Sequence, residues 1–148
     1  DTVQLRGVDR TTRSTSAVLD KGAKIVVRER IMTDGDEDAV TKFKVELNGE
    51  DCGADVVSRS VARGNSHQAF YSVIEGNARC TGHSACDAIL ADNGRVDAQP
   101  ALNAANVDAA LIHEAAIGRI NDEQLLKLRT LGLTEEEAEN VIIQNFLN

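Results

Sequence analysis

Over residues 1–112 the apolar positions recur mainly with a period of two. Ala39, Phe43, Val45 and Leu47 alternate with Lys42, Lys44 and Glu46, and Ile25, Val27 and Ile31 repeat the pattern less cleanly. Strict alternation marks a half-buried strand, and further short strands are predicted over 54–62, 69–74, 87–90 and 107–112. Gly22, Gly35, Gly49, Gly53, Gly64, Gly76, Gly82 and Gly94 punctuate these runs, commonly beside Asp or Asn, as turns with positive φ require. The intervals hold a strand and a turn but no crossover helix, so the body is all-β. Alternation does not separate parallel from antiparallel neighbours, and a sandwich, a barrel and a β-solenoid all satisfy it. A regular hexapeptide solenoid is excluded, because no strict repeat is present. Pro100, the single proline, falls between short runs, where a missing N–H costs little.

Beyond residue 112 the period lengthens. The run 107–112 delivers adjacent His113 and Glu114, which places an imidazole and a carboxylate where the sheet is expected to give way to helices. Asn121 is positioned to cap a first helix whose opening turn carries Asp122 and Glu123, and Gly132 stands where a left-handed terminating residue belongs. Leu125, Leu128 and Leu131 share one face, widened by Leu126. A second helix opens on a capping box, Thr134 with Glu137. Its expected core stripe is Ala138, Val141, Ile142 and Phe146. Ile143 and Leu147 lie off that stripe, so this helix is apolar over more than one side. Helices of about a dozen residues are marginal alone, and the pair must dock on something.

Composition narrows the picture. At 148 residues the chain is one domain, or one with a small appendage, and the change of period divides it into a β body over 1–116 and a helical segment over 117–148. It begins with Asp1 in strand-like sequence (Val3, Leu5, Val8), as expected of a fragment cut from a longer protein. There is no signal peptide or membrane-length apolar run. A net charge of −8 argues against a general nucleic-acid surface, which needs clustered Lys and Arg. Arg28, Arg30, Lys42 and Lys44 alternate as on a solvated sheet face. Aromatic residues make up 3% and tryptophan is absent, so the core is aliphatic and suits thin stacked layers. Three cysteines without a secretory signal favour unpaired thiols in a reducing compartment, the cytoplasm.

Residues capable of chemistry cluster late: Cys80, His83, Cys86, His113 and Glu114. The first three are spaced by three residues, compatible with a loop-borne zinc site, but on a strand that step throws them to opposite faces. No serine sits in a nucleophile elbow and no phosphate-cradling loop ends in Lys-Ser or Lys-Thr. Hydrolase and ATPase sites therefore have no support, and the chain is expected not to be an enzyme.

A longer pattern runs through the same region. His113-Glu114-Ala115, Gly118-Arg119-Ile120, Asp122-Glu123-Gln124-Leu125, Leu128-Arg129, Leu131-Gly132-Leu133 and Thr134-Glu135-Glu136-Glu137-Ala138 together resemble the C-terminal signature of the SufB/SufD scaffold proteins of the SUF iron–sulfur assembly system. Upstream, Asp20-Lys21-Gly22-Ala23-Lys24, Ser58-Arg59-Ser60 and Cys86-Asp87-Ala88-Ile89-Leu90 look like the core-strand motifs of that family.

The resemblance implies a mainly β fold, a right-handed parallel β-helix carrying a C-terminal helical hairpin. It also implies a scaffold that pairs with a second SufB/SufD-like subunit, as a homo- or heterodimer, and with a SufC-like ABC ATPase, while an iron–sulfur cluster is assembled transiently. The family's cluster-associated positions match Cys86, His113 and Glu114, and holding all three inclines the chain to the SufB type. Ile112 departs from the glutamate that SufB-type sequences often carry there. One thiolate, one imidazole and one carboxylate are too few for a durable cluster on one chain, which suits a site shared across a dimer interface. The 27 residues from Cys86 to His113 are expected to form about one coil. The family's use of its C-terminal segment makes exposed members among Leu125, Leu128, Ile143 and Leu147 the expected ATPase contact. The alternative reading is a purely structural β-helix subunit without its own cluster, or a zinc-binding protein using Cys80, His83 and Cys86.

Overall fold

The computed structural model describes residues 1–4 and 7–148. Leu5, expected in the opening strand, lies outside the described residues. After a short strand β1 (Thr2–Gln4) come eight strands of ten residues each: β2 (Arg10–Leu19), β3 (Lys24–Thr33), β4 (Asp38–Leu47), β5 (Gly53–Ala62), β6 (His67–Gly76), β7 (Thr81–Leu90), β8 (Arg95–Ala104) and β9 (Ala110–Arg119). Odd and even strands segregate into two sheets, β1-β3-β5-β7-β9 and β2-β4-β6-β8. Every pairing is parallel. Each strand therefore pairs with the strand two ahead of it, and the chain coils as a β-solenoid of about four turns.

Successive coils are 28 or 29 residues apart, the separation at which corner side chains meet from coil to coil. Corners of four residues alternate with corners of four or five between the strands, which is why the repeat escapes a fixed-period search. Close approach of neighbouring coils dictates glycine at two of these corners. A Cβ on Gly49 would stand 1.9 Å from the Lys21 nitrogen, and one on Gly94 would stand 2.2 Å from the Ala62 oxygen. The corners are tied by stacked side chains, Asn77 donating to Asn48 at 2.7 Å and Arg79 to Asp51 at 2.9 Å.

Between the two sheets lies one elongated core. Leu47, Val56 and Ile74 are fully buried in it, and Phe43 and Phe70 meet at 6.0 Å. It is not purely apolar. Glu29 is 1% exposed, and Arg13, Thr41 and Ser58 all donate to its carboxylate. Elsewhere in the interior Gln68 donates to Thr33 and to the Val61 carbonyl, and Ser84 to Ser72. Buried polar groups satisfied in this way avoid the cost of an unmade hydrogen bond.

β9 carries the solenoid past residue 116 to Arg119, and the helices follow: α1 (Asp122–Thr130) and α2 (Glu135–Leu147). Both predicted caps form. Asn121 accepts from the Glu123 N–H, and Thr134 and Glu137 make the reciprocal capping box. The hairpin folds back on the outer face of the odd-stranded sheet, where Ile143 and Leu147 pack on Met32 and Val61, with Ile89 and Phe146 alongside. This corrects the expected stripe: Ala138, Ile143 and Leu147 are the buried residues of α2, and Val141 is 48% exposed. With apolar residues on two sides of the helix, the shape of the sheet, not periodicity, selects the buried one.

Candidate functional site

Cys86 and His113 both point into the solenoid. On β7, side chains at 82, 84, 86 and 88 face inward, because successive residues of a strand alternate, and Ser84 and Cys86 are 0% and 1% exposed. Ser84 pairs with His113 and Cys86 with Ala115, so positions 113 and 115 share the inward face of β9. The step from β7 to β9 is not the 27 residues expected, since the five-residue corner 105–109 lengthens it. Cys86 and His113 are consequently offset by two residues on adjacent strands, about 8 Å between Cα positions from standard strand spacings. They share a face but are not stacked.

Their surroundings differ. Burial, then the charges of Asp87 and Glu29, pushes the Cys86 thiol up to about 11, so at neutral pH it is protonated. Loss of that proton requires a cation or metal to take its place. His113 has its Nδ1 buried with no hydrogen-bond partner. An orphaned imidazole nitrogen in a protein interior carries a cost of about 1–3 kcal/mol, and a metal would remove it.

Glu114 goes the other way. The sequence places His113 and Glu114 at the end of the sheet, but β9 continues to Arg119, so both are mid-strand and face opposite sides. Glu114 lies in the outer surface with its side chain 70% exposed, 3.4 Å from His83 Nε2. His83 Nδ1 is 2.8 Å from Asp55 Oδ1, and Arg28 holds the other Asp55 oxygen at 2.5 Å. The Asp55 bond, with Glu114 behind it, raises the pKa of His83. Partial burial works against the Asp55 carboxylate, but the bonds from His83 and Arg28 outweigh it and hold the group below its usual range. Among the described residues no three His, Cys, Asp or Glu side chains converge on one metal position. The sheet thus divides the expected ligands into an inner pair, Cys86 and His113, and an outer residue, Glu114.

The site drawn from Cys80, His83 and Cys86 does not form, because His83 faces out while both cysteines are buried in the core. Cys52, Cys80 and Cys86 are unpaired thiols, as expected. Of the residues expected to meet a partner, Leu125 and Leu128 are half-buried on α1, whereas Ile143 and Leu147 are 1% and 5% exposed. The solenoid has taken up that pair. Leu126, Leu131 and Val141 are the large apolar residues the hairpin leaves exposed. A recess of ≈ 610 Å³ runs beside them, lined by Ile89, Lys127, Leu128, Val141, Ile142 and Phe146.

Two features went unread in the sequence. Glu29 occupies an inward position in the alternation Ile25, Val27, Glu29, Ile31, and a charge on the apolar phase of a strand was the available signal. His83 acquires its two carboxylates from strands 28 and 31 residues away, Asp55 and Glu114, and no local spacing announces that.

The fold and this interior define a class: a parallel β-solenoid with a thiol and an imidazole inside its last coils and a helical hairpin on its flank. The chain belongs to the SufBD core-domain family of the SUF iron–sulfur cluster assembly system, whose family model matches residues 2–146. It is 33% identical over 118 residues to an iron-sulfur cluster assembly SufBD family protein of Methanothermobacter thermautotrophicus, covering 77% of this chain and 29% of that one. A Methanocaldococcus jannaschii member is 36% identical over 104 residues, 70% of this chain and 33% of its own. A Pyrococcus horikoshii member is 47% identical over 66 residues, 45% and 20% respectively. The chain spans a third or less of the length of these curated relatives. Among the described residues no helix is long and apolar enough to cross a membrane.

Proposed function

We propose that this chain is the cluster-holding part of an iron–sulfur assembly scaffold, with Cys86 and His113 as its ligands to a nascent cluster that is cargo and not a resident cofactor. The observation that carries the reading is the buried, unpartnered Nδ1 of His113 on the same interior face as the Cys86 thiol. Thiolate and imidazole are both established ligands for cluster iron. Two ligands from one chain leave the iron coordinatively incomplete, which favours release.

The remaining ligands come from a second subunit. β8 and β9 are the last strands of their sheets among the described residues, and their outer edges carry unpaired backbone groups, a template for another chain. Val96, Leu102, Leu111 and Ile117 face inward there without a further coil above them, Ile117 being 41% exposed. A homologous subunit seated on that edge covers the apolar mouth and brings its own ligands to within reach of His113. The hairpin then takes a SufC-like ABC ATPase in the recess beside Leu128 and Val141, away from the mouth. Catalysis belongs to that partner, and the present chain supplies the surface and the ligands.

Anaerobic reconstitution of the full-length protein with ferrous iron and sulfide tests the ligand assignment. Cluster absorbance is expected in wild type and lost in both Cys86→Ala and His113→Ala. Unchanged absorbance in the two variants overturns it and leaves the chain a structural β-helix subunit.

A further inference from the structure

On the outer face of the odd-stranded sheet, His83 is built as a metal ligand is built. Its Nδ1 is fixed by Asp55 at 2.8 Å, and Asp55 is itself anchored by Arg28 at 2.5 Å. A carboxylate on one ring nitrogen sets the tautomer and aims the other nitrogen outward, the arrangement that orients metal-binding histidines. That other nitrogen, Nε2, stands 3.4 Å from Glu114 Oε2. The separation is long for an N–H···O hydrogen bond. It is the distance expected between two donors of one ion: with metal bonds of about 2.1 Å to nitrogen and oxygen at a tetrahedral angle, the donors lie about 3.4 Å apart.

We propose that His83 and Glu114 form a second metal site, which takes a ferrous ion at the surface, with Asp55 and Arg28 as positioning residues. Nitrogen and carboxylate oxygen suit borderline divalent iron, whereas the buried Cys86 thiol suits iron already bridged by sulfide. Two protein donors leave the other coordination positions to water, so binding is reversible. The ion displaces the proton that Nε2 otherwise carries, and that proton leaves to solvent. The side chains are 36% and 70% exposed, which keeps the ion accessible. His83 is separated from Cys86 by three residues of one strand and by the thickness of the sheet. The proposal rests on the scaffold reading only for the choice of iron, since the geometry holds for any divalent first-row ion.

Anaerobic equilibrium dialysis of full-length protein against ferrous iron alone, without sulfide, is the test. About one reversibly bound ion per chain is expected in wild type. His83→Gln and Glu114→Gln abolish it, and Asp55→Asn weakens it about tenfold. The Cys86→Ala/His113→Ala double variant retains it, so failure of the inner site and failure of this one are read separately. All the substituted outer positions are solvent-accessible, and unchanged thermal melting of the three variants verifies the fold. Iron uptake that survives His83→Gln, or that disappears in the inner double variant alone, overturns the proposal, as does a wild type that binds none.

Discussion

A single carboxylate inside the solenoid shows how much one residue can cost. Glu29 is tolerated because Arg13, Thr41 and Ser58 surround it. Arg13→Ala leaves a buried charge without its counter-ion and is expected to destabilise by about 3 kcal/mol in urea unfolding. Arg13→Met combined with Glu29→Leu removes both charges and should recover most of that loss. A different pairing makes stability depend on pH. His67 places Nδ1 2.8 Å from Asp38 and Nε2 2.9 Å from Asp97, and only imidazolium can donate to both. Its hydrogen bonds to Asp38 and then Asp97 raise its pKa against the opposing effect of burial, with Arg10 3.7 Å from Asp38 as the nearest cation. A folded pKa above the unfolded one means that the contribution is complete below about 6.5 and lost as pH rises through the folded value. Thermal melts from pH 5 to 9 should therefore fall more in wild type than in His67→Asn, by about 0.5 kcal/mol for a partly exposed pair.

At the scale of elements, the corners and the second helix carry the constraints. Gly94→Ala drives a Cβ to 2.2 Å from the Ala62 carbonyl, and only a backbone shift relieves it. A loss of more than 2 kcal/mol in denaturant unfolding is expected. α2 offers a contrast on one helix. Ile143→Ala empties a 1% exposed position on Met32 and Val61 and should cost about 2–5 kcal/mol. Val141→Asp, at 48% exposure, should leave the melting temperature nearly unchanged while weakening capture of the ATPase at least tenfold, measured by calorimetry on the full-length protein. If Val141→Asp binds the ATPase normally, the recess beside it is not the docking surface.

For the whole molecule, the open end of the solenoid decides assembly. An apolar mouth bounded by two unpaired strand edges favours a partner that continues both sheets. Ile117→Lys puts a charge at that mouth, where the side chain is 41% exposed in the single subunit and so costs the subunit little. It should convert a dimer to monomers in light-scattering measurements of the full-length protein, with cluster retention falling in parallel. Retained dimerisation in Ile117→Lys would move the interface elsewhere.

The sequence by itself determined the strands, the two helix caps, the hairpin and the family. Each is local chemistry: alternation along a strand, a side chain reaching its own helix end, or an ordered run such as His113-Glu114-Ala115 through Gly118-Arg119. Only the tertiary structure decided which of several compatible faces meet. A five-residue corner sets Cys86 against Ala115 instead of His113, an unbroken β9 turns Glu114 away from both, and the sheet surface chooses Ile143 over Val141. Those outcomes depend on coil length and on shapes brought together from about 29 residues apart, and a one-dimensional pattern carries neither.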